Sequence, residues 1–249
     1  ILKQSHVRLK KIVANEQLCL LTARKLGIRT PDSFIINLND KDDDFLFATE
    51  RYDRIILDTS KELMGKKVPL RLHQEDFAQA LGITASQKYE KKGKDYLADA
   101  FELIKNYSSN PIEDQIRLWD LCIFNYLIGN TDNHVKNIAL LYSEDLKGIR
   151  LAPAYDLLST VIYDSSTEKM SLNIDGEYDI KNINQISFEN EARKLGLGKG
   201  IAMQHFLSMV EKFEAALEQS TYELEEQGYG VTVDIQKQIL KKAGIHNLK

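Results

Sequence analysis

The chain has 249 residues, with 33 Lys and Arg against 37 Asp and Glu, which gives a formal net charge of −4. A chain this close to neutrality has no strongly cationic surface for a phosphate backbone, so direct binding of DNA or RNA is not expected as its main activity. A hydrophobic fraction of 43% with 28% charged residues excludes disorder and collagen-like repeats. It is typical of a globular protein with a sizeable core.

The apolar runs Leu18 to Ala23 and Leu121 to Ile128 are too short and too interrupted to span a bilayer, and neither follows a signal-peptide pattern. The two cysteines, Cys19 and Cys122, lie in apolar helical patterns and are predicted to be small core residues. Together these features predict a protein without membrane segments, located in a reducing cytoplasm.

The amino-terminal part is predicted to be rich in strands. It opens on an apolar strand fragment, Ile1-Leu2-Lys3, without an initiator Met, which suggests an absent upstream segment. Apolar residues at helical spacing predict a helix from Ile12 to Leu26, with Gly27 as its left-handed cap. Two β-prone runs, Ser33 to Leu38 and Phe45 to Glu50, predict a hairpin. The acidic run between them lacks the pattern of a calcium loop and is predicted to be an exposed turn.

After Tyr52 the pattern is mainly helical, apart from a predicted hairpin of Ile138 to Tyr142 with Ile149 to Leu151. The glycine-rich stretch 196–200 lacks the spacing of a phosphate-binding loop and is predicted to end one helix and begin another. The predicted helices are Gln74 to Leu81, Tyr96 to Asn106, Ile112 to Ile128, Phe188 to Leu195, His205 to Glu226 and Val233 to Ala243. We therefore predict a β-rich part, residues 1–52, and a helical part, residues 53–249, with the chemistry between them.

The densest polar stretch, residues 128–137, follows an apolar helix and precedes an apolar strand. Burying so many polar groups costs several kcal/mol unless each finds a partner or a ligand. Asp132 and Asn137 lie five residues apart in it, and Asp156 follows after the second hairpin. The order Asp, Asn, Asp is that of a phosphotransferase: one carboxylate accepts the proton of the attacking hydroxyl, and the amide and second carboxylate hold Mg²⁺ on nucleotide phosphates. Taken singly, each residue could also be a capping or turn residue.

Other residues fit the same chemistry less specifically. His134 lies two residues after Asp132, where eukaryotic kinases place a lysine that contacts the transferred phosphate, and it could equally be a structural histidine. Lys136 has no assigned role. Lys3 resembles the strand lysine that pairs nucleotide phosphates with a helix glutamate, for which Glu16 is the candidate. The turn Glu50-Arg51-Tyr52 lies where a kinase hinge would offer backbone groups to adenine.

The chain resembles the kinase core of HipA-type toxins, bacterial Ser/Thr kinases of toxin-antitoxin systems. This resemblance implies an α+β, two-lobed protein-kinase-like fold with a truncated β-rich N-lobe and a mostly helical C-lobe. It is carried by these segments: 1–3, the helix around Asn15 to Cys19, Glu50 to Arg54, Leu70 to Phe77, Gln87 to Glu90, Ile128 to Asn137 and Leu151 to Asp156. The residues of Gln74 to Asp76 themselves suggest no chemistry.

By the resemblance, Asp132 is the catalytic base, and Asn137 and Asp156 hold Mg²⁺ on bound ATP. Nucleotide contacts are implied for the remaining candidates: Lys3, Glu50, Tyr52 and His134. The implied activity is ATP-dependent phosphorylation of a protein, in this family often an aminoacyl-tRNA synthetase. A helix-turn-helix antitoxin is the implied partner, through which alone DNA would be contacted. The family's small β domain and phosphate-binding loop would precede Lys3, either in the same chain or as a separate small subunit.

Two alternatives stay open from the sequence. One is a small-molecule kinase on the same fold, because the three acidic and amide residues define phosphoryl transfer without defining the acceptor. The other is a catalytically inactive kinase-like module that binds an antitoxin. The intact set of Asp132, Asn137 and Asp156 argues against that module, which would not need all three.

Overall fold

A three-stranded antiparallel sheet forms the amino-terminal part. Residues 1–4, 11–38, 45–91 and 93–248 are described by the computed structural model, so the predicted turn at 39–44 lies outside the described residues. The strands are β1 (Leu2–Gln4), β2 (Ser33–Asn37) and β3 (Phe45–Thr49), in the order β1-β3-β2. The predicted pairing of the second and third strands is confirmed, with Ile35 opposite Phe47. Lys3 lies opposite Phe47 on the other side of β3.

The predicted helix is present as α1 (Ile12–Lys25) and ends before Gly27, whose φ of +84° lies in the left-handed region. It packs against this sheet. The helix is buried on polar as well as apolar faces, so its polar side chains need partners. Asn15 exchanges hydrogen bonds with the backbone of Ser159, and Gln17 donates to the carbonyl of Ser33. The helix is thereby fixed between the sheet and the rest of the chain.

Short strands connect the sheet to the helical part. β4 (Arg54–Ile55) pairs with β7 (Leu70–Arg71), and β5 (Glu62–Leu63) pairs with β6 (Lys66–Lys67). β8 (Gln74–Asp76) joins β9 (Ala139–Tyr142) and β10 (Ile149–Leu151) in a second sheet of order β10-β9-β8. The predicted hairpin of the last two strands is therefore confirmed. The predicted helix Gln74 to Leu81 is wrong in its first half, because Asp76 caps a helix, α2, that spans only Phe77–Ala80.

The described residues after 93 form five longer helices: α3 (Tyr96–Tyr107), α4 (Pro111–Ile128), α5 (Gln185–Lys194), α6 (Lys199–Glu226) and α7 (Val231–Lys242). α4 begins with Pro111 after the cap Asn110 and runs through the core, where Trp119 and Phe124 are fully buried. A hairpin of β11 (Lys169–Ile174) and β12 (Glu177–Asp179) was not predicted. The stretch 196–200 does end α5 and begin α6, as expected.

One buried apolar cluster runs through both parts of the chain and includes residues of α1, β3, α4 and α6. The division at residues 52 and 53 therefore stays a prediction. Cys19 and Cys122 are free and buried, as predicted. Among the described residues, there is no helix whose length and apolar character would allow it to cross a membrane.

Candidate active site

Lys3 joins three elements at one end of the first sheet. Its Nζ lies 2.8 Å from Oε1 of Glu16 in α1 and 2.5 Å from Oδ1 of Asp156. The predicted pairing of Lys3 with Glu16 is thus present, and it is joined by the second candidate metal ligand. β1 supplies this lysine because pairing with β3 turns the Lys3 side chain toward α1 and the Asp156 segment.

Burial dominates the electrostatics of this cluster. It raises the pKa of Glu16 to about 7, although the ammonium of Lys3 opposes the shift. Burial alone would lower the pKa of Lys3, but the charges of Glu16 and Asp156 and their hydrogen bonds outweigh it, and the pKa is raised. Lys3 therefore stays cationic, which is the charge a nucleotide phosphate needs.

A cavity of about 290 Å³ lies beside this cluster, and we call it the Lys3 cavity. Its size is at the lower end of the range for small-molecule sites. Glu50 and Tyr52 of the predicted hinge, both predicted nucleotide contacts, line it together with Lys3 and Asp156. The ring of Tyr52 stacks on that of Tyr155 with centroids 6.1 Å apart. The structure thus brings together four of the predicted site residues around one cavity.

Asp156 lies in an irregular segment with a φ of +58°, a left-handed conformation that a non-glycine residue adopts at a cost of about 1 kcal/mol or more. The neighbouring residues fix that conformation. Asn130 donates a long 3.5 Å hydrogen bond to the carbonyl of Asp156, and Tyr155 donates to the carbonyl of Lys136. The segment is therefore tied to the polar loop that the sequence singled out.

That polar loop follows α4, whose C-cap Gly129 has a φ of +67°. Thr131 is fixed at both ends, since its amide donates to Thr160 and its carbonyl accepts from Ser171. Asp132 itself is exposed. The side-chain nitrogen Nδ2 of Asn137 donates to the backbone carbonyl of Asp132 at 3.0 Å. The side-chain oxygen Oδ1 of Asn137 is therefore the atom left for another partner.

Lys88 and Tyr89, to which the sequence analysis assigned no role, contact this loop. The hydroxyl of Tyr89 donates to Oδ1 of Asp132 at 2.8 Å, and Nζ of Lys88 lies 2.7 Å from Nε2 of His134. His134 is buried, with only 5% of its surface exposed. Lys88 and Tyr89 belong to a segment of the resemblance, which was the only signal for them, because they lie more than 40 residues before the loop. Lys136 forms an ion pair with Asp76 at 2.7 Å.

Asp132 lines a second, larger cavity of about 550 Å³, which we call the Asp132 cavity. Hydroxyl groups dominate its wall: Tyr89, Thr131, Thr160, Ser166, Thr167, Ser171 and Tyr178. Asp132 and Asp156 therefore border different cavities. The charges of both carboxylates act on the imidazole of His134. Neither His134 nor Asn137 lines either cavity.

The α+β fold is that of a two-lobed kinase. A solved complex of HipA, HipB and operator DNA from Shewanella oneidensis contains a chain that matches 99% of this one at 22% identity, with a TM-score of 0.82 over 57% of that chain. The Helicobacter pylori proinflammatory kinase CtkA matches with a TM-score of 0.57 and 15% identity, over 99% of this chain and 87% of its own.

Residues 1–219 match the HipA-like C-terminal domain, and the chain belongs to that family. A putative kinase of Sinorhizobium fredii is 31% identical over 87% of this chain, and the serine/threonine-protein kinase toxin HipA of Shewanella oneidensis is 25% identical over 83%. These matches cover 49% and 47% of the two relatives. The chain thus spans about half the length of the curated relatives it matches.

Proposed function

We propose that the chain is the core of an ATP-dependent Ser/Thr protein kinase that acts as the toxin of a toxin-antitoxin system. The observation that carries the proposal is the contact of Lys3 with both Glu16 and Asp156 at the wall of the Lys3 cavity. A strand lysine paired with a helix glutamate, beside a carboxylate able to bind metal, is the phosphate-binding arrangement of kinases. The names of the relatives support the same class.

ATP would lie in the Lys3 cavity, with adenine toward Glu50 and Tyr52 and phosphates toward Lys3. Mg²⁺ suits the donor set, because Asp156 offers a carboxylate and Asn137 an amide oxygen, both hard ligands. No group of three or more His, Cys, Asp or Glu among the described residues is arranged to hold a metal. Mg²⁺ does not require such a group, since it keeps several waters and takes one or two protein ligands beside the phosphates.

Asp132 would act on the acceptor. Its exposed carboxylate lines the Asp132 cavity, where a seryl or threonyl hydroxyl can approach it. The carboxylate would orient that hydroxyl and accept its proton as the oxygen bonds to phosphorus. Tyr89 holds Oδ1 of Asp132, which leaves the second oxygen for this proton. By the family resemblance, His134 would be a nucleotide contact on the phosphate side of the site.

The acceptor we propose is a protein, an aminoacyl-tRNA synthetase by the family resemblance. A helix-turn-helix antitoxin is the proposed partner, because the solved Shewanella oneidensis complex holds HipB and operator DNA together with HipA. A small β domain, in the same chain or in a separate subunit, would complete the sheet before β1. The setting we propose for all of these is the cytoplasm.

The test is replacement of Asp132 by Asn in the full-length protein. We expect phosphate transfer from labelled ATP to fall by about two to four orders of magnitude, the usual contribution of a positioned base, while calorimetric binding of Mg²⁺-ATP stays near that of the parent. Asp58→Asn, at a fully exposed aspartate, is the matched control.

Full transfer by a stably folded Asp132→Asn protein would remove Asp132 from the mechanism. Phosphopeptide mass spectrometry of cells expressing the parent identifies the acceptor. Phosphate found on a metabolite instead would indicate a small-molecule kinase, and an absence of transfer by the parent would indicate a binding module.

A further inference from the structure

Lys88 is a cation with no acidic partner among the described residues. It follows a single 3₁₀ turn, Ala85–Gln87, and its side chain is half-buried. Its Nζ lies 2.7 Å from Nε2 of His134 and 4.7 Å from the ring centroid of Tyr89. The other two lysines of the site do have acids, Lys3 with Glu16 and Asp156, and Lys136 with Asp76.

The contact between Lys88 and His134 fixes the protonation of the histidine. A lysine ammonium only donates, so Nε2 of His134 accepts and the remaining ring proton is on Nδ1. Burial and the charge of Lys88 lower the pKa of His134, although the charge of Asp132 opposes them. One hydrogen of the ammonium is used in this way, and two are left for other acceptors.

A half-buried ammonium without a counter-charge is costly, and an anionic ligand would offset that cost. The location of Lys88 indicates which anion. The adjacent Tyr89 holds the proposed base Asp132, and the charges of both Asp132 and Asp156 act on His134. Lys88 is therefore attached to the loop at which phosphate would leave the nucleotide and reach the acceptor.

We infer that Lys88 is a further catalytic residue, whose ammonium contacts the phosphoryl group as it is transferred, and that His134 positions it. This rests on the proposed kinase function. In the reaction the acceptor oxygen bonds to the γ-phosphorus, the bond to the β–γ bridging oxygen breaks and ADP leaves, while Asp132 takes the hydroxyl proton. Lys88 gains and loses no proton; it offsets negative charge on the phosphoryl oxygens. His134 occupies the sequence position of the kinase lysine, and Lys88 would supply the missing cation from another segment.

The experiment compares Lys88→Met, Lys88→Arg and the parent in the full-length protein. Two quantities are measured: kcat and KM for ATP, and the calorimetric affinities for the Mg²⁺ complexes of ADP and of a non-hydrolysable ATP analogue. For Lys88→Met we expect kcat to fall about 100-fold, while KM for ATP rises by no more than about 10-fold, in step with the loss of analogue affinity. The preference for the analogue over ADP should fall roughly 10-fold, because one charged hydrogen bond to the terminal phosphate is lost. Lys88→Arg should recover part of both.

Lys91→Met is the matched control, since Lys91 is an exposed lysine on the same segment, and it should behave like the parent. Lys88→Gln, which keeps a donor for His134, replaces the Met variant if that variant does not fold. The inference is overturned if Lys88→Met prefers the analogue over ADP as strongly as the parent does. It is likewise overturned if the variant loses affinity for ADP and for the analogue equally. The affinity ratio is read without turnover. A parent that binds nucleotide but transfers nothing would therefore refute the kinase proposal, while the ratio still decides whether Lys88 contacts the terminal phosphate.

Discussion

Glu16 shows how burial and pairing compete at a single residue. Its side chain is only 5% exposed, and burial raises its pKa to about 7 despite the contact with Lys3. In the unfolded chain this carboxyl loses its proton near pH 4.5, whereas in the folded chain it keeps the proton until about pH 7. The folded state therefore binds more protons between these values, so this group's contribution to stability is lost as pH rises through that window.

Replacing Glu16 by Gln removes this titration. We compare the unfolding free energy of the variant with that of the parent at each pH. The difference, variant minus parent, should rise by about 1 to 3 kcal/mol as the pH increases from 4.5 to 7.5, whatever its value at pH 4.5. Urea unfolding at a series of pH values measures this difference. Glu211→Gln, at an exposed glutamate of α6, should show no such slope. A constant difference between parent and Glu16→Gln would contradict the raised pKa.

At the residue scale, the sequence pointed to candidate site residues that lie close together along the chain or follow the order of a known class of enzyme. Asp132, Asn137 and Asp156 stood out by their spacing, and Lys3 with Glu16 by analogy to a strand-helix pair. Lys88 and Tyr89 had no local signal, because each acts across a tertiary contact with the polar loop. Such contacts depend on how the chain folds back, which local patterns do not encode.

Gly129 determines how helix α4 ends and where the polar loop begins. Its φ is +67°, and a Cβ added there would lie 2.3 Å from Cγ2 of Val161 and 3.0 Å from Cβ of Ala243. Its carbonyl also accepts hydrogen bonds from the amides of Thr160 and Val161. The close approach of these segments thus requires glycine for two separate reasons, conformation and space.

We predict that Gly129→Ala destabilises the protein by about 2 to 4 kcal/mol, since the strain of a positive φ and overpacking add. Gly27→Ala is the control: that glycine also follows a helix with a positive φ, but nothing lies within 4 Å of an added Cβ. It should cost only about 1 kcal/mol. Thermal and urea unfolding of both variants measure the difference, and equal losses would show that packing against Val161 is unimportant.

Helix boundaries were predicted unevenly. The predicted bounds of α4, Ile112 to Ile128, miss only its first residue, Pro111. The predicted starts of α5 and α6, Phe188 and His205, lie after the observed starts, Gln185 and Lys199. The misplaced start of α2 had a local signal, the capping box of Asp76 and Gln79. The hairpin of β11 and β12 also had one, the Asp175-Gly176 turn. The pairing of β8 with β9, more than 60 residues away, had none, because it depends on long-range contacts.

At the scale of the whole molecule, the outer face of the first sheet exposes apolar side chains. Leu2 and Phe34 are 64% and 55% exposed and lie opposite Ala48 on either side. A contiguous apolar sheet face of this kind is usually covered by another element. We therefore expect the small β domain, within the full-length chain or as a separate subunit, to cover it.

Phe34→Ser with Leu2→Ser should weaken that covering. If the cover belongs to the same chain, the double variant should lose about 2 kcal/mol or more of unfolding free energy. If it is a separate subunit, light scattering of the proteins co-expressed with their neighbouring genes should show dissociation. Ile186→Ser, at a residue 68% exposed on α5, is the control. The expected cover would be contradicted if the double variant were a fully active, monodisperse monomer with the unfolding free energy of the parent.

Helix α1 restricts how the site can move. It packs against α6 and α7, and Lys25 near its end forms an ion pair with Glu223 at 2.6 Å. Tyr229 adds an edge-on ring contact with Phe45 and donates to the carbonyl of Ile35. The helix that carries Glu16 is therefore clamped on two sides and should not swing as a rigid body. We therefore expect the contact between Lys3 and Glu16 to be already formed before a nucleotide binds, so that binding does not require α1 to move.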